Sequence, residues 1–282
     1  MKNKTRYMVI LILAAAMLLT LLTGCGKGGS NTAAISMNDF SQRAQDSLAN
    51  LHSYETNLQM TVNASGIVEG NPGSVDIIMG GNGAVDITAK KMGMDMSANI
   101  KGKSGSESIN QASRISTYVI DDVLYTGTTN DNGNMEWKHE TASSSVWEEE
   151  VQSDQLVKLL GSSQIDSLKT ETVEGQQCYL AEVTPDPSQL WDTIMNQMNQ
   201  SGEGSSFTQD MGNAIKKVTV KYWFIQDTMF IKKAYVYMEM DMDAQALGAE
   251  SGSMNFVIEM TVIFNNHNQS VKIELPSEAQ SS

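Results

Sequence analysis

The chain has 282 residues, with 19 Lys+Arg against 33 Asp+Glu and a formal charge of −14. So acidic a surface repels nucleic acid and anionic lipid headgroups, so DNA and RNA are excluded as partners. Its two cysteines, Cys25 and Cys178, are too few for a disulfide framework.

The first element in the chain is a leader. Lys2, Lys4 and Arg6 precede an almost wholly apolar run over residues 7–22, and Leu22-Thr23-Gly24-Cys25 closes it. A charged start, an apolar stretch and a small-residue cleavage site read as a secretory signal. A spanning helix needs about 20 apolar residues, and this run is shorter. Leu-Thr-Gly-Cys resembles the bacterial lipobox. That resemblance implies a diacylglycerol on the Cys25 sulfur and cleavage after Gly24, so residues 1–24 are expected to be a signal peptide. The membrane is then a partner through palmitate-like chains on Cys25, and the protein sits outside the cytoplasmic membrane, on its outer face in a Gram-positive cell. Each buried lipid methylene contributes about 0.8 kcal/mol, and two or more chains hold a protein stably. Without the leader's three basic residues the chain carries 16 basic and 33 acidic groups, a net of −17.

Residues 25–36, in which Gly26-Lys27-Gly28-Gly29-Ser30-Asn31 follows Cys25, read as a flexible tether. Residues 36–51 follow as a helix, with Phe40, Ala44, Leu48 and Leu51 at helical spacing and Asn38 as its cap. After Tyr54 the period changes to two. Leu58, Met60, Val62 and Ala64 alternate with polar residues, as do Val75, Ile77 and Met79, then Val85, Ile87 and Ala89, then Met92, Met94, Met96, Ala98 and Ile100. Gly70-Asn71-Pro72-Gly73 and Gly80-Gly81-Asn82-Gly83 read as turns between them. Residues 113–128 predict two strands around Asp121-Asp122, and Asp131-Asn132-Gly133-Asn134 predicts a further hairpin.

A helix over 146–160, ending at Gly161, interrupts the strands. Strands return at 165–173 and 177–184. The second carries Cys178, expected as a small buried hydrophobe. Asp186-Pro187 opens a helix over 187–199, and Phe207, Met211 and Ile215 suggest a short one after it. The final third alternates again: Val218 to Phe224, Val236 to Met242 and Met254 to Phe264, with residues 271–276 closing the domain.

About ten alternating strands imply an antiparallel sheet with one dry face and one wet face. The expected fold is α+β: a large curved sheet, or half-barrel, with the helices packed on its concave apolar face, all in one domain over 37–282.

Three places carry a family resemblance. One is Leu51-His52-Ser53-Tyr54, which leads from the first helix into the first long strand. Another is Tyr222-Trp223-Phe224-Ile225-Gln226-Asp227-Thr228, with a return strand bearing Lys232 and Lys233. The third is the segment 265–279 around Val271-Lys272-Ile273-Glu274-Leu275-Pro276. Together they resemble the LolA/LppX-like superfamily of bacterial lipoproteins, and most closely its uncharacterised Gram-positive members. The resemblance implies a half-barrel wrapped over helices around an apolar cavity, which relatives use for acyl chains or lipoproteins. It implies no catalytic residue.

Methionine is the unusual component, nineteen in all. Its flexible thioether suits adaptable apolar surfaces. Met60, Met92, Met94, Met96, Met238, Met240, Phe256 and Met260 are therefore the candidates to line a cavity for a lipid or other acylated, apolar ligand. The alternative is that the same residues fill a solid core and the protein works through protein partners at its surface. Met92-Gly93-Met94-Asp95-Met96 and Met238-Glu239-Met240-Asp241-Met242 also invite a soft-metal reading. Alternate residues of a strand lie about 6.5–7 Å apart, wide for ligands of one ion, so no metal or other cofactor is expected. His52, His139 and His267 are scattered, and no nucleophile elbow, phosphate loop or His-Glu-x-x-His motif occurs. The reading is of a binding protein, not an enzyme.

Overall fold

The computed structural model describes residues 30–31, 33–105, 107–130, 132–142, 164–185, 214–244 and 251–281. They form one sheet of twelve strands. In chain order these are β1 (Ser30–Asn31), β2 (Ser53–Val68), β3 (Asn71–Asp86), β4 (Lys91–Ser104), β5 (Glu107–Ile120), β6 (Val123–Thr129), β7 (Met135–Thr141), β8 (Gln164–Val173), β9 (Gln176–Thr184), β10 (Ile215–Ile225), β11 (Ile231–Asp243) and β12 (Gly252–Asn265). The spatial order is β1-β8-β9-β10-β11-β12-β2-β3-β4-β5-β6-β7. Only the two-residue β1 pairs in parallel; β2 to β12 are antiparallel throughout.

The one α-helix among the described residues is α1 (Met37–Ala49). The expected α+β fold with several helices on a concave face is therefore corrected: the described residues are nearly all sheet. The proposed helices over 146–160 and 187–199 lie outside the described residues, as do Phe207 and Met211. Ile215 belongs to no helix and opens β10.

Tight hairpins set the register. Glu69-Gly70, Asp121-Asp122 and Glu174-Gly175 each have positive φ at both positions and join directly paired strands. This is the type I′ turn, whose twist matches that of the flanking strands. The expected turn at Asp121-Asp122 is thus present, as is the hairpin before β7, where Asn130 Oδ1 accepts from the backbone N–H groups of Asn132 and Asn134. Of the expected turn over 70–73 only Gly70 is in the turn.

Gly80-Gly81-Asn82-Gly83 is not a turn at all. It lies mid-strand in β3, opposite residues 56–59 of β2 and 94–97 of β4. A Cβ on Gly81 would stand 2.5 Å from the Asp95 carbonyl oxygen and 2.8 Å from the Met96 side chain. Glycine here admits a close neighbour rather than a reversal. The actual reversal falls at residues 87–90, where Asp86 accepts from the Ala89 N–H, so Ile87 and Ala89 are not strand residues. Residues 271–276 are likewise outside any strand, so no closing strand forms there.

Helix α1 begins at Ser36, not Asn38. The Ser36 hydroxyl accepts from the Asp39 N–H at 3.1 Å and donates to the Asp39 carboxylate at 2.7 Å. Its buried stripe, Phe40, Ala44, Ser47 and Leu48, packs where β9 and β10 meet. The Phe40 ring meets those of Phe224 and Tyr179 edge-on, with centroids 5.0 and 6.1 Å apart. Ser47 donates to the Met229 carbonyl and Arg43 to that of Gln226, which ties the helix to the β10–β11 turn.

Candidate functional site

Cross-strand register puts the dry residues in continuous rows. One row runs Val220, Val236, Met260, Met60, Met79, Ala98 from β10 to β4; the next runs Val218, Met238, Ile258, Val62, Ile77, Ile100. Because side chains alternate faces along a strand, all eight sequence candidates share this face. Met60, Met92, Met238, Met240, Phe256 and Met260 are buried, while Met94 and Met96 are half-buried. A cavity beside Met79, Met96, Ala98 and Ile115 holds only about 10 Å³. The two Met-x-Met-x-Met runs do not meet as neighbours, since β12, β2 and β3 separate β11 from β4. Among the described residues no cluster of three His, Cys, Asp or Glu groups could hold a metal.

The opposite face of β9 and β10 carries a small second cluster of Cys178, Leu180 and Trp223. Cys178 is fully buried, as its strand context predicts, and burial pushes its thiol pKa up. Trp223 donates to Glu171 and carries the Lys233 ammonium over its ring. Beside them, Glu182 accepts from Ser167 and pairs with Lys169 and Lys221 at 3.2 and 3.1 Å. The Ser167 hydrogen bond, with the two lysines, holds the Glu182 carboxyl down to about 2.

A feature the sequence did not single out lies at the end of the sheet nearest α1. The turns at 174–175, 226–230 and 266–269 surround an open cleft of about 450 Å³, walled by Ile225, Phe230 and Phe264 and by Gln176, Asn265 and His267. Lys232 enters it from β11. Trp223 pairs with Lys233 and Phe224 with Ile231, so Lys232 is the extra residue of a β-bulge. Bulges re-aim side chains, and this one buries the lysine to 5 % exposure. Its ammonium donates to Glu174 at 2.7 Å and to Asn265 Oδ1.

His267 stacks on Phe230, with centroids 5.1 Å apart and the planes 10° from parallel. Its Nε2 lies 2.9 Å from the Ile231 carbonyl, which can only accept, so Nε2 carries the proton and Nδ1 is an acceptor. Burial, aided by the nearby Lys232 charge, pushes the His267 pKa down and keeps the ring neutral. Glu174 and Asn266, which line the cleft, have left-handed backbone, as do Met229 and Asn268 in the neighbouring turns, a conformation uncommon in non-glycine residues but tolerated by Asn.

A model of DUF6612, a family of unknown function, matches residues 36–282. The chain belongs to that family. No curated protein matches. Among solved structures, a DUF1329 family protein from Desulfovibrio piger is similar at 11% identity over 84% of this chain and 94% of that one, with a TM-score of 0.23. A beta-barrel-like protein of the domain of unknown function DUF1849 from Brucella abortus is similar at 8% identity over 75% of this chain and 98% of that one, with a TM-score of 0.20. Likenesses this weak add nothing about what the DUF6612 chain does.

Proposed function

We propose that this chain is a lipid-anchored extracytoplasmic protein that binds an acyl chain or another apolar, acylated molecule on the methionine-rich face of its sheet, without catalysing a reaction. On this reading it is a half-barrel relative of the LolA/LppX-like lipoproteins. Lys2 to Cys25 supply the secretion signal and the anchor. The observation that carries the binding role is the alignment of Met60, Met92, Met94, Met96, Met238, Met240, Phe256 and Met260 on one face of the sheet. Methionines repack at low cost around chains of different shape, so a face closed in the empty protein can open for a ligand. Solvent extraction and mass spectrometry of protein purified without added lipid should recover a bound acyl compound in stoichiometric amount. Repeated recovery of stable, lipid-free protein would overturn the proposal.

A second reading has one observation in its favour: the small cavity volume beside Met79 and Met96 suits a filled core. The acidic surface would then do the work, through a protein partner released at high salt. No helix among the described residues is long and apolar enough to cross a membrane. For the anchor itself, Cys25→Ala should move the protein from the membrane fraction to the soluble one.

A further inference from the structure

None of the eight methionine-face candidates lines the cleft around Lys232, so its role is separate from lipid binding. A buried ion pair is weak evidence for a stabilising role, because desolvation offsets the attraction. Here the partner is not even buried: the Glu174 side chain is 57% exposed at the tip of a hairpin, against 7% for Lys232. The cleft therefore presents two opposite charges only 2.7 Å apart, the cation on its floor and the anion on its rim. Among the described residues, two of the three Lys232 N–H groups have acceptors, Glu174 and Asn265.

The charge balance selects the ligand class. A net anion would compete with Glu174 for Lys232, and a net cation would compete with Lys232 for Glu174. A ligand carrying both charges close together matches the pair without displacing either. In an α-amino acid the ammonium and carboxylate share one carbon, which gives the short dipole required. Phe230, Phe264 and Ile225 supply an apolar wall for its side chain. The volume of about 450 Å³ is in the range of small-molecule sites, about 300–1,000 Å³. We propose that this cleft binds a free α-amino acid with an apolar side chain, its carboxylate on Lys232 and its ammonium on Glu174.

The test is calorimetric titration of the full-length lipoprotein with L-leucine. Two comparators each lack one charge: 4-methylpentanoate has no ammonium and 3-methylbutylamine no carboxylate. Leucine should bind, and each comparator should bind about tenfold more weakly or worse, the effect of losing one charged hydrogen bond. Lys232→Met and Glu174→Gln should each weaken leucine binding by a similar factor. Lys232 is buried and its substitution can unfold the sheet end, so Glu174→Gln, on an exposed turn, is the deciding variant. The proposal fails if leucine and L-phenylalanine both fail to bind at millimolar concentration. It fails if either comparator matches leucine, or if Glu174→Gln keeps full affinity with an unchanged melting temperature.

Discussion

Replacing Gly81 by alanine tests the central part of the sheet with a single methyl group. Its Cβ would sit 2.5 Å from the Asp95 carbonyl oxygen, 2.8 Å from Met96 Cγ and 3.1 Å from Met96 Cα. Two of these atoms are backbone, held by the β3–β4 ladder, so the strands themselves must shift. Overpacking of this kind costs about 1–3 kcal/mol, against about 0.4–1 kcal/mol recovered by restricting the unfolded chain. Gly81→Ala should therefore destabilise by about 1–2 kcal/mol. Gly80 is the internal control: its Cβ would meet only the Leu58 carbonyl oxygen, at an ordinary 3.7 Å. Gly80→Ala should be neutral or stabilising by up to about 1 kcal/mol. Urea unfolding measures both, as a shift in midpoint at constant slope. Equal effects of the two substitutions, or a neutral Gly81→Ala, would refute the placement of Met96 over Gly81 within a continuous strand.

Removing the α1 cap with Ser36→Ala should cost about 1 kcal/mol in the same assay, whereas Asn38→Ala should change little. The low Glu182 pKa has a definite sign. Its contribution is fully present above the ordinary carboxylate range and is lost as pH falls toward about 2. Partial solvent screening limits that contribution to about 1–2 kcal/mol. Unfolding curves from pH 6 to pH 2 should fall less steeply for Glu182→Gln than for the parent, and parallel curves would contradict the network around Glu182. Burial and a raised pKa make Cys178 inert. Iodoacetamide should leave it unmodified in the native protein and alkylate it in urea; rapid native labelling would contradict its place under Trp223.

Much of this molecule is legible in the period-two alternation. The strands around Met60, Met92, Val236 and Phe256 lie where the pattern puts them, and their apolar residues share one face because register preserves parity across antiparallel pairs. The glycines misled. A run such as Gly80-Gly81-Asn82-Gly83 carries the composition of a turn, and only the neighbouring strand reveals that Met94 and Met96 occupy the space their missing side chains leave. The same error shortened the expected strands, where β2 and β3 each run 16 residues. Helices expected on the apolar face gave a mixed fold, whereas α1 is the one described helix that packs there. The Lys232 cleft was illegible for a different reason. Its parts come from residues 174, 232 and 265–267, distant in the chain, and the bulge that aims the lysine depends on pairing with β10. Lys232 and the segment 265–279 stood out in the sequence only as carriers of a family resemblance, with nothing local to mark them as walls of one cleft.

The most direct test of lipid binding uses the methionines themselves. Protein labelled with ¹³C at the methionine methyls should be titrated with lysophosphatidylcholine, whose zwitterionic headgroup avoids repulsion by the acidic surface. The account predicts saturable shifts of the Met60, Met238, Met240 and Met260 methyl signals, since these lie together on the apolar face. Unmoved signals from those four, at lipid concentrations that perturb exposed methyls, would contradict it and leave a filled core whose surface is the working part.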